Sequence, residues 1–118
     1  MRVMVVDDEP VLATLLARFA RGGGFEVTVA HNGLEAWELF RGEPEVWDLI
    51  ITDIRMPGLD GVSLAERVRA DRDDLPVVLI SGHGQWPDVE ALSPAVFLAK
   101  PFRRAQLLEA MEASTAAA

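Results

Sequence analysis

Apolar residues in this chain form short unbroken runs, separated by stretches in which they recur every three or four positions. Val3 to Val6 is the first run, with the continuous hydrophobicity of a strand covered on both faces. A helix is predicted to open at Asp8-Glu9-Pro10, because proline in a first turn lacks only an N–H that would have no helical partner. Leu12, Leu15, Leu16 and Phe19 then make an apolar stripe, ended by Gly22-Gly23-Gly24. Phe25 to Ala30 alternates as a second strand. Asn32-Gly33 signals a turn and cap, and Leu34, Trp37 and Phe40 form a second helical stripe that Gly42-Glu43-Pro44 breaks.

Asp48 to Thr52 reads as a third strand, followed by Asp53 and the turn-rich loop Met56-Pro57-Gly58-Leu59-Asp60-Gly61. A third helix follows, with Val62, Ala65 and Val68 inward and Glu66, Arg67 and Arg69 outward; Asp71-Arg72-Asp73-Asp74 reads as a solvated connection. Val77 to Ser81 is the fourth strand and Ala95 to Leu98 the fifth. Between them Gly82, Gly84, Pro87 and Pro94 leave room for a short helix at most, since proline inside a helix costs about 3 kcal/mol. The last helix, from about Phe102, turns Leu107, Leu108 and Met111 inward, and Ser114 to Ala118 is expected to fray. Trp37 and Trp47 are expected to pack, and His31 and Trp86 to be exposed.

Strands alternating with helices imply βαβ units, hence an α/β fold: a doubly wound, five-stranded parallel sheet with helices on both faces. In such sheets the working site lies beyond the carboxyl ends of the strands, where the strand order reverses. Asp7 and Asp8 follow strand one, Asp53 strand three, Ser81 ends strand four and Lys100 follows strand five. All therefore gather at one edge. Adjacent carboxylates repel by roughly 1 kcal/mol per pair at 4 Å in water, and about 4 at the effective dielectric of a protein surface. The usual use of such a cluster is a hard divalent cation; with Mg²⁺ comes phosphoryl chemistry.

At 118 residues the chain is one domain, expected to span 1–118. A net charge of −8 argues against nucleic acid or an anionic membrane as a direct partner. The absence of cysteine excludes a disulfide framework and thiolate chemistry, and the apolar start is too short for a signal peptide or a membrane span. A cytoplasmic location is the expectation.

Four motifs resemble the receiver domain of bacterial two-component response regulators: Val5-Val6-Asp7-Asp8-Glu9-Pro10; Asp48 through Asp53 to Gly61; Ile80-Ser81-Gly82-His83-Gly84; and Phe97-Leu98-Ala99-Lys100-Pro101-Phe102. The resemblance covers nearly the whole chain. It implies a flavodoxin-like sheet of order 2-1-3-4-5, with the fourth helix shortened or irregular here because the span from Ser81 to Lys100 looks about three residues short of the family spacing. It implies that Asp53 accepts a phosphoryl group from the phosphohistidine of a histidine kinase or histidine phosphotransfer protein, and that the state of Asp53 controls an unknown downstream protein or effector domain. Such a chain is no enzyme beyond its own phosphorylation and autodephosphorylation. Asp8, Asp53 and the backbone carbonyl of Arg55 would bind Mg²⁺ directly and Asp7 through water, a set compatible with retained waters. Lys100 would pair with phosphoryl oxygens and Ser81 would donate its hydroxyl to another, letting Phe97 turn inward. The Lys100–Pro101 peptide would be cis.

Blander readings stand beside these. Asp7-Asp8-Glu9 suits any helix start, Asp53 an Asx cap, Lys100 a loop, and Phe97 plain core. Arg55 and His83 are read either as solvated or as tuning phosphoryl lifetime through contact with the phosphoryl group or with attacking water. An aspartyl-nucleophile phosphatase would want an acid where Arg55 stands. A dinucleotide-binding domain would want glycines where Asp7-Asp8-Glu9-Pro10 stands, and a serine hydrolase a glycine where Leu79 stands. The alternative that survives is a phosphorylation-independent interaction module of the same fold. No effector domain follows residue 118 in this sequence, so a stand-alone receiver, part of a larger regulator or hybrid kinase, and a trimmed segment all stay open.

Overall fold

The computed structural model of the chain describes residues 1–82 and 95–117. The elements run β1 (Arg2–Val6), α1 (Pro10–Gly22), β2 (Glu26–Ala30), α2 (Gly33–Gly42), a 3-10 turn (Pro44–Val46), β3 (Leu49–Asp53), α3 (Gly61–Asp71), β4 (Val77–Ser81), β5 (Val96–Ala99) and α4 (Arg104–Ala117). All four strand pairings are parallel, in the order β2-β1-β3-β4-β5. The expected α/β architecture and strand order hold. The segment expected to carry an irregular helix, with His83 and Trp86, lies outside the described residues.

Period-two alternation sorts the strands between two cores. Val3, Val5, Leu49, Ile51, Val78, Ile80 and Leu98 point to a core shared with Leu16 and Ala20 of α1 and Leu107 and Met111 of α4. On the opposite face Met4, Val6 and Ile50 meet Phe40 of α2 and Leu64 and Val68 of α3, while Val77 and Leu79 meet Ala65. Extending the first set by one step at the strand ends puts Asp7, Asp53 and Lys100 on the α1/α4 side.

The expected stripes pack in the cores except for Leu15 and Leu34, and each is joined by residues the stripe rule omits. On α1 the buried face is Ala13, Leu16, Ala17 and Ala20, with Leu15 37% exposed, because small alanines let the helix lie close to the sheet. On α2 it is Gly33, Ala36 and Phe40, and Leu34 is 59% exposed. On α3 Leu64 joins Ala65 and Val68 in the core, while Val62 is half-buried. A backbone-to-backbone approach favours small residues over large ones, and the stripe rule counts only large ones.

Two loop expectations need correction. Arg72 is no solvated linker: its guanidinium donates to the carbonyls of Pro44 (3.1 Å) and Trp47 (2.6 Å), and it pairs with Asp74 (3.3 Å). It ties the end of α3 to the segment that feeds β3. Nor does the chain fray from Ser114. The helix runs to Ala117, and buried Ser114 donates its hydroxyl to the Met111 carbonyl at 2.8 Å. Trp47 packs as expected, Trp37 stacks on Phe40 and His31 is exposed.

Candidate functional site

β1 lies between β2 and β3, so the switch point of the sheet falls at the carboxyl ends of β1 and β3. Val6 pairs in register with Ala30 and with Thr52, which brings Asp7, the next residue, level with Asp53. One carboxylate oxygen from each of Asp7, Asp8 and Asp53 lies within 4.8 Å of the others. Asp7 is fully buried, Asp53 nearly so, and Asp8 is exposed, leaving the cluster closed on the sheet side and open to water above.

Lys100 arrives from the far edge of the sheet. Ser81 pairs with Ala99, and the Lys100 N–H donates to the Ser81 carbonyl at 2.9 Å, which carries the lysine just past β4. Its Nζ donates to Asp53 Oδ2 at 3.2 Å, the ion pair being partly buried. The Lys100–Pro101 peptide is cis, as expected.

Asp7 shows what the cluster costs. Burial pushes its carboxyl up to about 6, opposed by a hydrogen bond from the Glu9 N–H and reinforced by the charges of Asp53 and Asp8. Asp7 Oδ2 is buried with no hydrogen-bond partner among the described residues. Three hard oxygen donors, one of them orphaned and one open to water, fit a cation such as Mg²⁺ that keeps part of its hydration.

A pH dependence follows. A carboxyl raised from 3.8 to about 6 on folding costs nothing below the lower value; its cost is complete above the higher one. In chelator-treated protein, replacement by Asp7→Asn is therefore expected to become increasingly stabilising from pH 4 to 7, by up to roughly 3 kcal/mol. Urea unfolding across that range measures it, and a gap that does not grow with pH contradicts it. Mg²⁺ affinity of the parent should fall on acidification through pH 6, as Asp7 takes up its proton.

Ser81 is the last residue of β4 and is buried; Phe97 on β5 is half-buried against the Ala65, Val77 and Leu79 cluster. Both fall, by alternation, on the α3 side. Arg55 is exposed in the loop after β3, and His83 lies outside the described residues.

Two glycines that the sequence marks only as turn signals matter here. A Cβ on Gly61, the first residue of α3, would meet the carbonyl oxygen of Asp53; one on Gly33, the first residue of α2, would meet that of Leu59. The helix starts thus press directly on the loop that leaves Asp53. Asp60 caps α3 by accepting from the Ser63 N–H at 2.8 Å, and Asn32 caps α2 through the Glu35 N–H at 2.7 Å. An Asp or Asn immediately before each helix was the signal available for the caps; nothing local announces the close approaches.

The model of the response regulator receiver domain matches residues 3–112. The chain belongs to this family, and with it to two-component phosphorelay signalling. The response regulator MprA of Mycobacterium avium is 32% identical over 116 residues, covering 96% of this chain and 50% of that protein. The chain therefore spans about half the length of that relative. Among solved structures, a response regulator receiver protein from Sinorhizobium medicae superposes with a TM-score of 0.89 at 29% identity, covering 99% of this receiver domain and 95% of that chain. The receiver domain of the hybrid histidine kinase CckA does so at 0.84 and 31%, covering 98% and 99%. No helix among the described residues is long and apolar enough to cross a membrane.

Proposed function

We propose that residues 1–118 form one receiver domain whose Asp53 accepts a phosphoryl group from the phosphohistidine of a histidine kinase or histidine phosphotransfer protein. Asp53, held at the switch point between two other carboxylates and 3.2 Å from the Lys100 ammonium, is the observation that most directly supports this. In the transfer an Asp53 carboxylate oxygen forms the new P–O bond while the P–N bond to the donor imidazole breaks and its electron pair returns to the ring. A carboxylate is a weak nucleophile, so placement and charge neutralisation supply the rate.

Asp8, Asp53 and the Arg55 carbonyl would hold Mg²⁺, with Asp7 acting through water. These ligands would let a bound Mg²⁺ supply charge neutralisation for the phosphoryl oxygens. Lys100 exchanges its carboxylate partner for a phosphoryl oxygen, as a mobile ammonium can. Ser81 donates its hydroxyl to another oxygen, and Phe97, on the same face of the sheet, follows it inward. Arg55, exposed two residues beyond Asp53, and His83 are placed by the sequence to tune how long the phosphate lasts. The domain catalyses nothing beyond its own phosphorylation and dephosphorylation, works in the cytoplasm, and signals through a downstream protein or effector domain.

Incubation with acetyl phosphate and Mg²⁺ tests this. The expected result is a mass gain of one phosphoryl group, dependent on Mg²⁺ and mapped to the peptide containing Asp53. No gain would leave a phosphorylation-independent interaction module as the reading.

A further inference from the structure

Thr52 is a fully buried hydroxyl for which neither the metal site nor the phosphoryl site has a use. By strand alternation it faces α2 and α3, away from Asp53's carboxylate. Its Oγ1 donates to the carbonyl oxygen of the very next residue, Asp53, at 2.9 Å. That same oxygen is the atom against which Gly61 packs. On the other side of the same peptide plane, the Ile54 N–H donates to the Ile80 carbonyl at 2.9 Å, and the Ile54 carbonyl in turn accepts from Gly61 at 2.9 Å.

We propose that the Thr52 hydroxyl is a positioning group for the phosphoacceptor, locking the Asp53–Ile54 peptide from the side opposite β4. The inference rests on the proposed function of Asp53 and Arg55. A peptide plane held only at its N–H can still rock about that bond; held at its carbonyl as well, it cannot. The plane sets the direction in which the chain leaves the Asp53 Cα, and the Arg55 carbonyl assigned to Mg²⁺ lies on the segment it launches. Groups that orient metal ligands without touching the metal commonly matter as much as a tenfold change in affinity.

Thr52→Val keeps the branched shape and removes the donor; Thr52→Ala removes it without adding a methyl; Thr52→Ser retains it. Calorimetric Mg²⁺ titration of the unphosphorylated chain should show affinity weakened about tenfold in the Val and Ala variants and restored in Ser. Phosphoryl uptake from acetyl phosphate at saturating Mg²⁺ should slow by a similar, roughly tenfold, factor in the same two variants. A lowered melting temperature with Mg²⁺ affinity and uptake unchanged would mean that Thr52 only supports the fold, and would overturn the proposal. Should the parent itself take up no phosphoryl group, the assignment of Asp53 fails, and the Mg²⁺ titration alone decides the role of Thr52.

Discussion

Replacing Asp53 by asparagine is expected to reduce phosphoryl uptake to background while making the metal-free protein more stable. The loss of uptake follows from the amide, which offers no anionic oxygen to the phosphorus. The gain in stability follows from charge. Asp53 is nearly buried and its charge raises the carboxyl of Asp7, so its removal relieves both its own desolvation and one member of a three-carboxylate cluster. Against this stands the lost Lys100 ion pair, which is partly exposed and therefore screened. Two repulsions and a desolvation outweigh one screened attraction, and Asp53→Asn should gain about 1–2 kcal/mol in chelator. Added Mg²⁺ should stabilise the parent and leave the variant nearly unchanged. Denaturant unfolding with and without Mg²⁺ reads both effects. A less stable metal-free variant would mean that the Lys100 pair dominates the site.

Gly61→Ala is expected to damage both stability and the site. The added Cβ would meet the Asp53 carbonyl oxygen and carbon and the Ile54 Cα, all backbone atoms. They cannot retreat cheaply, because the Ile54 N–H is committed to Ile80 and the Ile54 carbonyl to Gly61 itself, both at 2.9 Å. Overpacking of this kind costs about 3 kcal/mol, and here the displacement falls on the residue that takes the phosphate. The variant should therefore lose Mg²⁺-dependent stabilisation as well as stability. Gly42→Ala is the control: a Cβ there meets nothing within 4 Å, at a helical position where alanine gains up to about 1 kcal/mol. If the two substitutions have similar effects, the close contact at Gly61 is not the constraint.

The expectations that held have a common origin. Strand runs, their order and the face on which each residue falls depend on periodicities of two and 3.6, which are properties of neighbours in the chain. Once five strands are parallel, residues at their carboxyl ends must share an edge, and the acids and Lys100 needed no further information to be grouped. The expectations that moved share an origin too. Leu15 and Leu34, large and apolar, fall on the predicted stripes, but alanines and a glycine make the contact. Arg72 sits in a run of acids that looks solvated until Pro44 and Trp47 are brought beneath it.

For this protein, then, the one-dimensional pattern alone determined the α/β class, the strand order through family resemblance, and the identity of the acidic edge. Tertiary structure decided how that edge behaves. It set the raised carboxyl of Asp7, because desolvation depends on what covers a group rather than on what flanks it. It brought Lys100 within 3.2 Å of Asp53, across two intervening strand pairings. And it set Gly61, the first residue of α3, directly against the Asp53 carbonyl, a close approach that no local rule reveals.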